Sequence, residues 1–258
     1  MQPIRSAGDR YHPREKMKNI FFVSDIHLGL HDKIREKEKE RHFLSFLDHV
    51  ERSGEQLFIV GDLFDYWFEY KHVIPRGYHH VLSKLGMLVE HGVKVSYIAG
   101  NHDFWLGDFF PDDLGIPVYK DPISVDLRGK KFYLHHGDGL ALRDTGYRIL
   151  KKILRSRLNI FLFSLIHPSI TAPIAKSSSR NSREYTSQKD YGETDGMVAC
   201  AEKKCADGFD FVIMGHRHQP LSRDFGKGTY INLGDWITFR TYAEFDGATV
   251  ELKTWEQT

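Results

Sequence analysis

Cysteine is nearly missing from this chain. Its 258 residues include two, Cys200 and Cys205, too few for a disulfide framework. A Cys-x4-Cys pair without further cysteines is also a poor zinc signature, so both are expected as free thiols in a reducing compartment. Long apolar runs are missing too, and no window reaches the ~18 apolar residues of a membrane-spanning helix. Residues 1–18 carry charge without an apolar centre, which argues against a signal peptide and predicts a frayed terminus. Strong charge of either sign is absent as well. Lys and Arg number 36 against 35 Asp and Glu; with no long basic stripe, a nucleic-acid partner is not expected.

What is present is ordinary for a globular protein: 41% hydrophobic and 28% charged residues. One large α/β domain over residues 19–258, with room for an insert, is the expectation at this length. The run Ile20-Phe21-Phe22-Val23 reads as a buried strand that stops at Asp25 and His27. Strand side chains alternate faces, so these two, two positions apart, should point the same way. A helix is expected over residues 33–50, with Phe43, Leu44, Leu47 and Val50 on one face. Leu57-Phe58-Ile59-Val60 runs into Gly61-Asp62-Leu63-Phe64-Asp65, and a second helix is expected over 76–91. Residues 93–99 run into Gly100-Asn101-His102-Asp103, residues 131–134 into His135-His136-Gly137-Asp138, and Phe211-Val212-Ile213-Met214 into Gly215-His216-Arg217-His218. The last strands are expected over 229–233 and 248–254.

Five apolar strands thus end in polar turns bearing Asp, Asn or His. Ligands of open α/β sheets bind outside the carboxyl ends of strands, so five such strands in one sheet would gather these side chains at one edge. The steps between motifs are 37 (Asp25 to Asp62), 39 (to Asn101) and 35 (to His136), each about one βα unit with its loop. The next step, to His216, is 80, and the excess places an insert at about 140–190. Its first part alternates Tyr147, Leu150, Leu154 and Leu158 with Lys151, Lys152, Arg155 and Asn159; residues 160–166 are then almost wholly apolar. That pattern suits a cap contacting lipid or a membrane surface, or equally a helical hairpin packed on the main domain.

Asp25, His27, Asp62, Asn101, His136, His216 and His218 form a mixed nitrogen and oxygen donor set. It suits Mn, Fe, Zn or Co better than Mg or Ca. Seven donors exceed the needs of one ion, so two ions about 3.5–4 Å apart, with Asp62 as a bridge, is the economical reading. Such a pair supplies a nucleophile at neutral pH and offsets phosphoryl charge. Gly215 would let the backbone come close to the site, and Asp103 and Asp138 are expected to orient histidine donors. His42, His49, His79, His80 and His91 fall on expected helices and are read as packing or surface residues. His135 should face away from His136, and aromatic packing is at least as good a reading for Trp67 and Trp105 as stacking on a ligand.

These motifs together resemble the calcineurin-like metallophosphoesterases from about Ile20 to Thr254. The resemblance implies a four-layer α/β/β/α sandwich with two divalent transition-metal ions, Mn(II) first among them. It implies that Asp25, His27, Asp62 and His218 hold one ion and Asp62, Asn101, His136 and His216 the other. Asn101 and His102 would then act on the phosphate, His102 as a protonated group stabilising the transition state or assisting the leaving oxygen. The segments 61–67, 101–107 and 136–140, Asp144-x-Gly146-Tyr147, Asn181-Ser182-Arg183-Glu184 and Leu233-Gly234-Asp235-Trp236 look more narrowly like the UDP-2,3-diacylglucosamine diphosphatase branch of lipid A biosynthesis. That branch cleaves a pyrophosphate by water attack at the α-phosphorus, giving UMP and the acylated sugar 1-phosphate. By the same likeness Asn101, His102, Asp144, Ser182, Thr186, Lys189 and His216 would contact a lipid-linked UDP-sugar. The protein would be cytoplasmic, peripheral on the inner membrane's cytoplasmic face. Better-known members of the branch carry arginine after the asparagine, where this chain has His102, and often asparagine where it has Thr186. The rival expectations are the same chemistry on another phosphodiester or phosphomonoester, and a non-enzymatic scaffold of the same fold.

Overall fold

The computed structural model describes residues 18–140, 145–168, 170 and 196–256. The chain opens with strand β1 (Asn19–Val23), helix α1 (Lys33–Ser53) and strand β2 (Gly54–Val60). Helix α2 (His79–Glu90), strand β3 (Lys94–Ile98), a short π-helical turn (Phe109–Asp113) and strand β4 (Val118–Tyr119) follow. Next come β5 (Ile123–Leu127), β6 (Lys130–His135), α3 (Thr145–Leu154), α4 (Arg157–Ser164) and α5 (Gly196–Ala206). The chain ends with β7 (Phe211–Met214), β8 (Pro220–Asp224), β9 (Thr229–Leu233), β10 (Thr241–Phe245) and β11 (Val250–Thr254). Helix α1 starts where Asp32 accepts from the Ile34 and Arg35 N–H groups, which the helix itself cannot pair.

The strands form two sheets, ordered β11-β10-β1-β2-β3-β4 and β5-β6-β7-β9-β8. Their inner faces meet through Ile20, Phe22, Phe58, Val60 and Ile98 on one side and Phe132, Leu134, Ile213, Ile231 and Leu233 on the other. Phe22 stacks between Phe58 and Phe132, with centroids 5.2 and 5.5 Å away. Helices α1 and α2 bury Phe43, Phe46, Val81 and Leu85 against the outer face of the first sheet. Helix α5 covers the second sheet through Met197, Ala201 and Cys205. The order is therefore helix, sheet, sheet, helix. Strands covered on both faces are apolar at successive positions, which is why the central ones read as unbroken apolar runs.

This is the two-sheet sandwich that the resemblance implied, and it corrects the strand-end argument, which put all five motif strands in one sheet: β1, β2 and β3 lie in the first sheet, β6 and β7 in the second. Pro122 lies between β4, which ends one sheet, and β5, which opens the other, and proline cannot donate to a ladder. Arg128 and Gly129, at φ 55° and 81°, then turn β5 back onto β6 as an antiparallel hairpin. The carboxyl ends still converge. The His136 ring lies 2.9 Å from Val60 O, and the Trp236 N–H donates to Asp25 O at 3.0 Å, each joining the two sheet edges.

Helices α3 and α4 stand over this edge. Trp105 Nε1 donates to Leu154 O at 3.1 Å, and Phe163 packs on Trp105 and Phe68, each at 4.8 Å. Lys151 pairs with Asp138 at 2.6 Å, and Arg155 donates to Gly100 O at 3.1 Å. One side of the pair is thus docked. The other leaves Ile149, Ile153, Leu158, Phe161, Leu162 and Leu165 half or more exposed. Among the described residues no helix is long and apolar enough to cross a membrane.

Candidate metal centre

Neither Asp25 nor His27 lies on a strand, as the alternation reading had it; β1 ends at Val23. Both sit in the loop beyond it with left-handed backbones, φ 54° and 48°. Asp62, His216 and His218 do the same at 54°, 69° and 57°. Such a conformation costs a non-glycine residue of order 1 kcal/mol and persists only where its surroundings impose it. Here loops lock one another: Asp25 N donates to Gly61 O, His27 N to Asp62 O, Leu28 N to Leu63 O and Asp65 N back to Leu28 O, all within 3.2 Å. From α1, the buried Lys39 ammonium reaches His27 O. Gly215 permits a close approach, since a Cβ there would stand 2.8 Å from Ser24 Cβ and nearer still to Asp25 Oδ2.

Each carboxylate divides its labour. Asp25 Oδ2 accepts from Ser24 Oγ at 2.7 Å and from His216 N at 2.8 Å. Asp62 Oδ1 accepts from His102 N at 2.9 Å. Asp25 Oδ1 and Asp62 Oδ2 are buried with no hydrogen-bond partner among the described residues. Around the first stand His218 Nε2 at 3.4 Å and His27 Nε2 at 3.7 Å, themselves 3.3 Å apart. Around the second stand His136 Nε2 at 3.2 Å and His27 Nε2 at 3.7 Å; His216 completes that group. Asn101 Oδ1 lies 3.0 Å from His136 Nε2. Ligand atoms bound about 2.0–2.2 Å from one ion stand roughly 3–3.7 Å from each other. The donor set therefore fits divalent cations, which would neutralise buried carboxylate oxygens that no hydrogen bond satisfies.

In the metal-free protein, protons take that place. Burial disfavours the charged form of His136, but Asp62 outweighs it and holds the ring up to about 10. His27 is likewise held at about 9, burial being overcome by Asp25, Asp65 and Asp62. Burial pushes the Asp25 carboxyl up, yet His218, His27 and His136 bring it down to about 2. Burial and the neighbouring His136 cation depress His216 to about 4.

The structure brings all seven sequence-derived donors to one place, with His102 beside them. His102 Nδ1 lies 3.1 Å from Asp65 O, its Nε2 3.9 Å from Asp62 Oδ2, and its ring edge-on to His27. Asp144, Ser182, Thr186 and Lys189 lie outside the described residues. Asp103 differs from expectation: its hydrogen bonds run to Gly100 N, Phe64 N and the Tyr97 hydroxyl, bracing the loop rather than a histidine. His135 is buried beside Tyr133 and belongs to none of the donor clusters among the described residues, and burial pushes its ring down to about 4. Trp67 is fully buried on Phe64 and so is a packing residue. Asp65 went unassigned in the sequence although it stands 3.5 Å from His27 Nδ1; its position three after Asp62 was the available signal.

The calcineurin-like phosphoesterase family profile matches residues 18–220. A UDP-2,3-diacylglucosamine hydrolase of Porphyromonas gingivalis is 34% identical over 257 residues, covering 92% of this chain and 97% of that protein. One from Pseudomonas paraeruginosa is 31% identical over 225 residues (84% and 91%), and one from Vibrio parahaemolyticus 27% over 237 (90% and 96%). The matched family implies divalent metal ions, in keeping with the donor chemistry above. Because the match spans most of its length and the relatives align nearly end to end, this chain is a hydrolase belonging to the calcineurin-like phosphoesterase family.

Proposed function

We propose that the chain hydrolyses the pyrophosphate of UDP-2,3-diacylglucosamine by water attack at the α-phosphorus, releasing UMP and 2,3-diacylglucosamine 1-phosphate. In this reading Asp25, His27, Asp62 and His218 hold one divalent ion, and Asp62, Asn101, His136 and His216 a second, with Mn(II) the first candidate. When bound, such a pair lowers the pKa of water and offsets the charge of a phosphoryl group. The observation that carries the reading is the pair of buried oxygens, Asp25 Oδ1 and Asp62 Oδ2, that no hydrogen bond satisfies and that imidazoles surround at 3.2–3.7 Å. The substrate comes from the relatives' names and from the apolar helices beside the site.

The chain's own groups then have definite tasks. His102, with Nδ1 turned to the Asp65 carbonyl, presents Nε2 to the site as a donor to a phosphoryl oxygen or to the departing sugar phosphate. Asn101, its side-chain oxygen toward His136, offers its amide hydrogens to the phosphate. Asp144, Ser182, Thr186 and Lys189 supply further substrate contacts. Residues 140–190 act as a cap on the domain that begins at residue 19. Its exposed apolar side chains take acyl chains or rest on the cytoplasmic face of the membrane, while Lys152 and Arg157 face anionic headgroups.

Incubation of the purified protein with UDP-2,3-diacylglucosamine and Mn²⁺ is expected to yield UMP and the acylated sugar phosphate, and EDTA should abolish both. Intact substrate alongside turnover of bis-p-nitrophenyl phosphate would move the site to another phosphoester. Replacing Leu162 and Leu165 by serine tests the cap. Both are at least half exposed, so the melting temperature should hold. Losing one buried leucine costs ~1.5–3 kcal/mol, so kcat/KM on the lipid should fall roughly 10- to 100-fold while the soluble diester is turned over as before. An equal fall on both substrates would remove the cap from lipid binding.

A further inference from the structure

Leu233-Gly234-Asp235-Trp236, which follows β9, touches two of the seven donors without containing one. Asp235 is 3% exposed, and its two oxygens do different things. Oδ1 accepts the N–H groups of Ile237, Thr238 and Phe239 at 3.1, 2.7 and 3.1 Å, which fixes the carboxylate's rotamer. Oδ2 is left 3.3 Å from His218 Nδ1. The far nitrogen of that ring, Nε2, is the one facing Asp25 Oδ1 and His27 Nε2. On the next residue, the Trp236 N–H donates to Asp25 O at 3.0 Å. Its indole is buried against Phe43 and Phe46 of α1 and donates to Thr241 O at 3.0 Å, so the turn cannot shift without unpacking the core.

We propose that Asp235 is a positioning residue: it holds His218 in the orientation that aims Nε2 at Asp25 and His27, and thereby governs filling of that half of the metal pair alone. This rests on the two-ion reading given above. His218 needs restraint more than His27 or His136 does. Its side chain is 26% exposed, where those of His27 and His136 are 0% and 1%, and its backbone is left-handed. His136 in the other half has its Nδ1 against the Val60 carbonyl and owes nothing to Asp235. An acceptor on Nδ1 selects the tautomer with its lone pair on Nε2, the arrangement a metal-binding histidine requires.

The experiment is a Mn²⁺ titration of the full-length protein, wild type and Asp235→Asn, read by equilibrium dialysis and by electron paramagnetic resonance. Asparagine keeps one oxygen for the three N–H groups but sets an amide N–H against Nδ1–H. The variant should bind one ion as the wild type does and the other about 10- to 100-fold more weakly. The exchange-coupled signal of an ion pair should give way to that of isolated Mn²⁺ at stoichiometric loading, with the metal-free melting temperature unchanged. Asp235→Ala should show the same selective loss together with a lower melting temperature, because the turn cap goes too. Two ions retained within threefold of wild-type affinity would overturn the proposal, as would equal weakening of both with a lower metal-free melting temperature. A wild type that binds fewer than two ions would instead refute the two-ion reading, and this inference with it.

Discussion

Asp62→Asn should abolish binding of both ions and lower kcat/KM on any phosphoester by on the order of 10³-fold or more, at least the cost of deleting one transition-state-stabilising donor. Among the donors with described contacts, Asp62 is the one whose open oxygen faces imidazoles of both halves: His136 Nε2 at 3.2 Å and His27 Nε2 at 3.7 Å. Its other oxygen accepts from His102 N. An asparagine has no good orientation here. With its amide nitrogen at the Oδ2 position, it sets N–H groups against nitrogens that must bind a cation; flipped, it sets them against the His102 N–H. The substitution also frees a proton. Burial already disfavours charged His136, and Asp62 is the largest opposing influence, so the ring should titrate far below its metal-free value of about 10. Two checks suffice: a Mn²⁺ titration with bis-p-nitrophenyl phosphate kinetics, and the His136 ring shift followed by NMR between pH 6 and 11. Two ions bound with turnover within tenfold of wild type would refute the bridging assignment.

Gly100→Ala should be nearly as damaging, through sterics alone. A Cβ at Gly100 would stand 2.5 Å from the Asp62 backbone nitrogen and closer still to its Oδ1. Strands β2 and β3 are locked in parallel register, Val60 opposite Ile98, so the two loops beyond them have no room to part. Overpacking of this kind costs about 1–3 kcal/mol, which for a chain of this length lowers the melting point by roughly 2–4 °C per kcal/mol. Activity should fall further than stability, since the displaced atoms belong to Asp62. Gly86→Ala in α2 is the matched control. Its Cβ would meet Leu114 Cδ2 at 3.4 Å and nothing closer; alanine is the better helix former there, so stability should hold or rise. Equal behaviour of the two variants in calorimetry and in phosphodiester turnover would remove the steric argument.

Much of this was legible without coordinates because chemistry and strand patterning are local. The run Phe211–Met214 is apolar at every position, and it forms β7 over those same residues; Thr229–Leu233 is likewise β9. The donors announced themselves as Asp, Asn and His immediately after such runs. Strands β4, β5, β8 and β10 escaped. Ile123–Leu127 alternates partly buried with exposed residues, and Pro220–Asp224 is mostly exposed. Edge strands of this kind draw their stability from a neighbour's ladder rather than from an apolar run; β10, an inner strand paired with both β1 and β11, escaped because Thr241 and Glu244 interrupt its apolar residues.

The sequence by itself determined that seven nitrogen and oxygen donors exist, that they follow buried strands and that the family is one of phosphoesterases. Only the tertiary structure decided how they meet. Two sheets share the donors that one had been expected to carry, and left-handed loops rather than strand alternation turn Asp25, His27, Asp62, His216 and His218 inward. Tertiary contacts also decided which carboxylate oxygen stays open and which histidine leans on Asp235. The physical reason is that a positive φ is unfavourable for these residues taken alone. It is held in place by hydrogen bonds between loops that are distant in the chain, such as His216 N to Asp25 Oδ2 across 191 positions.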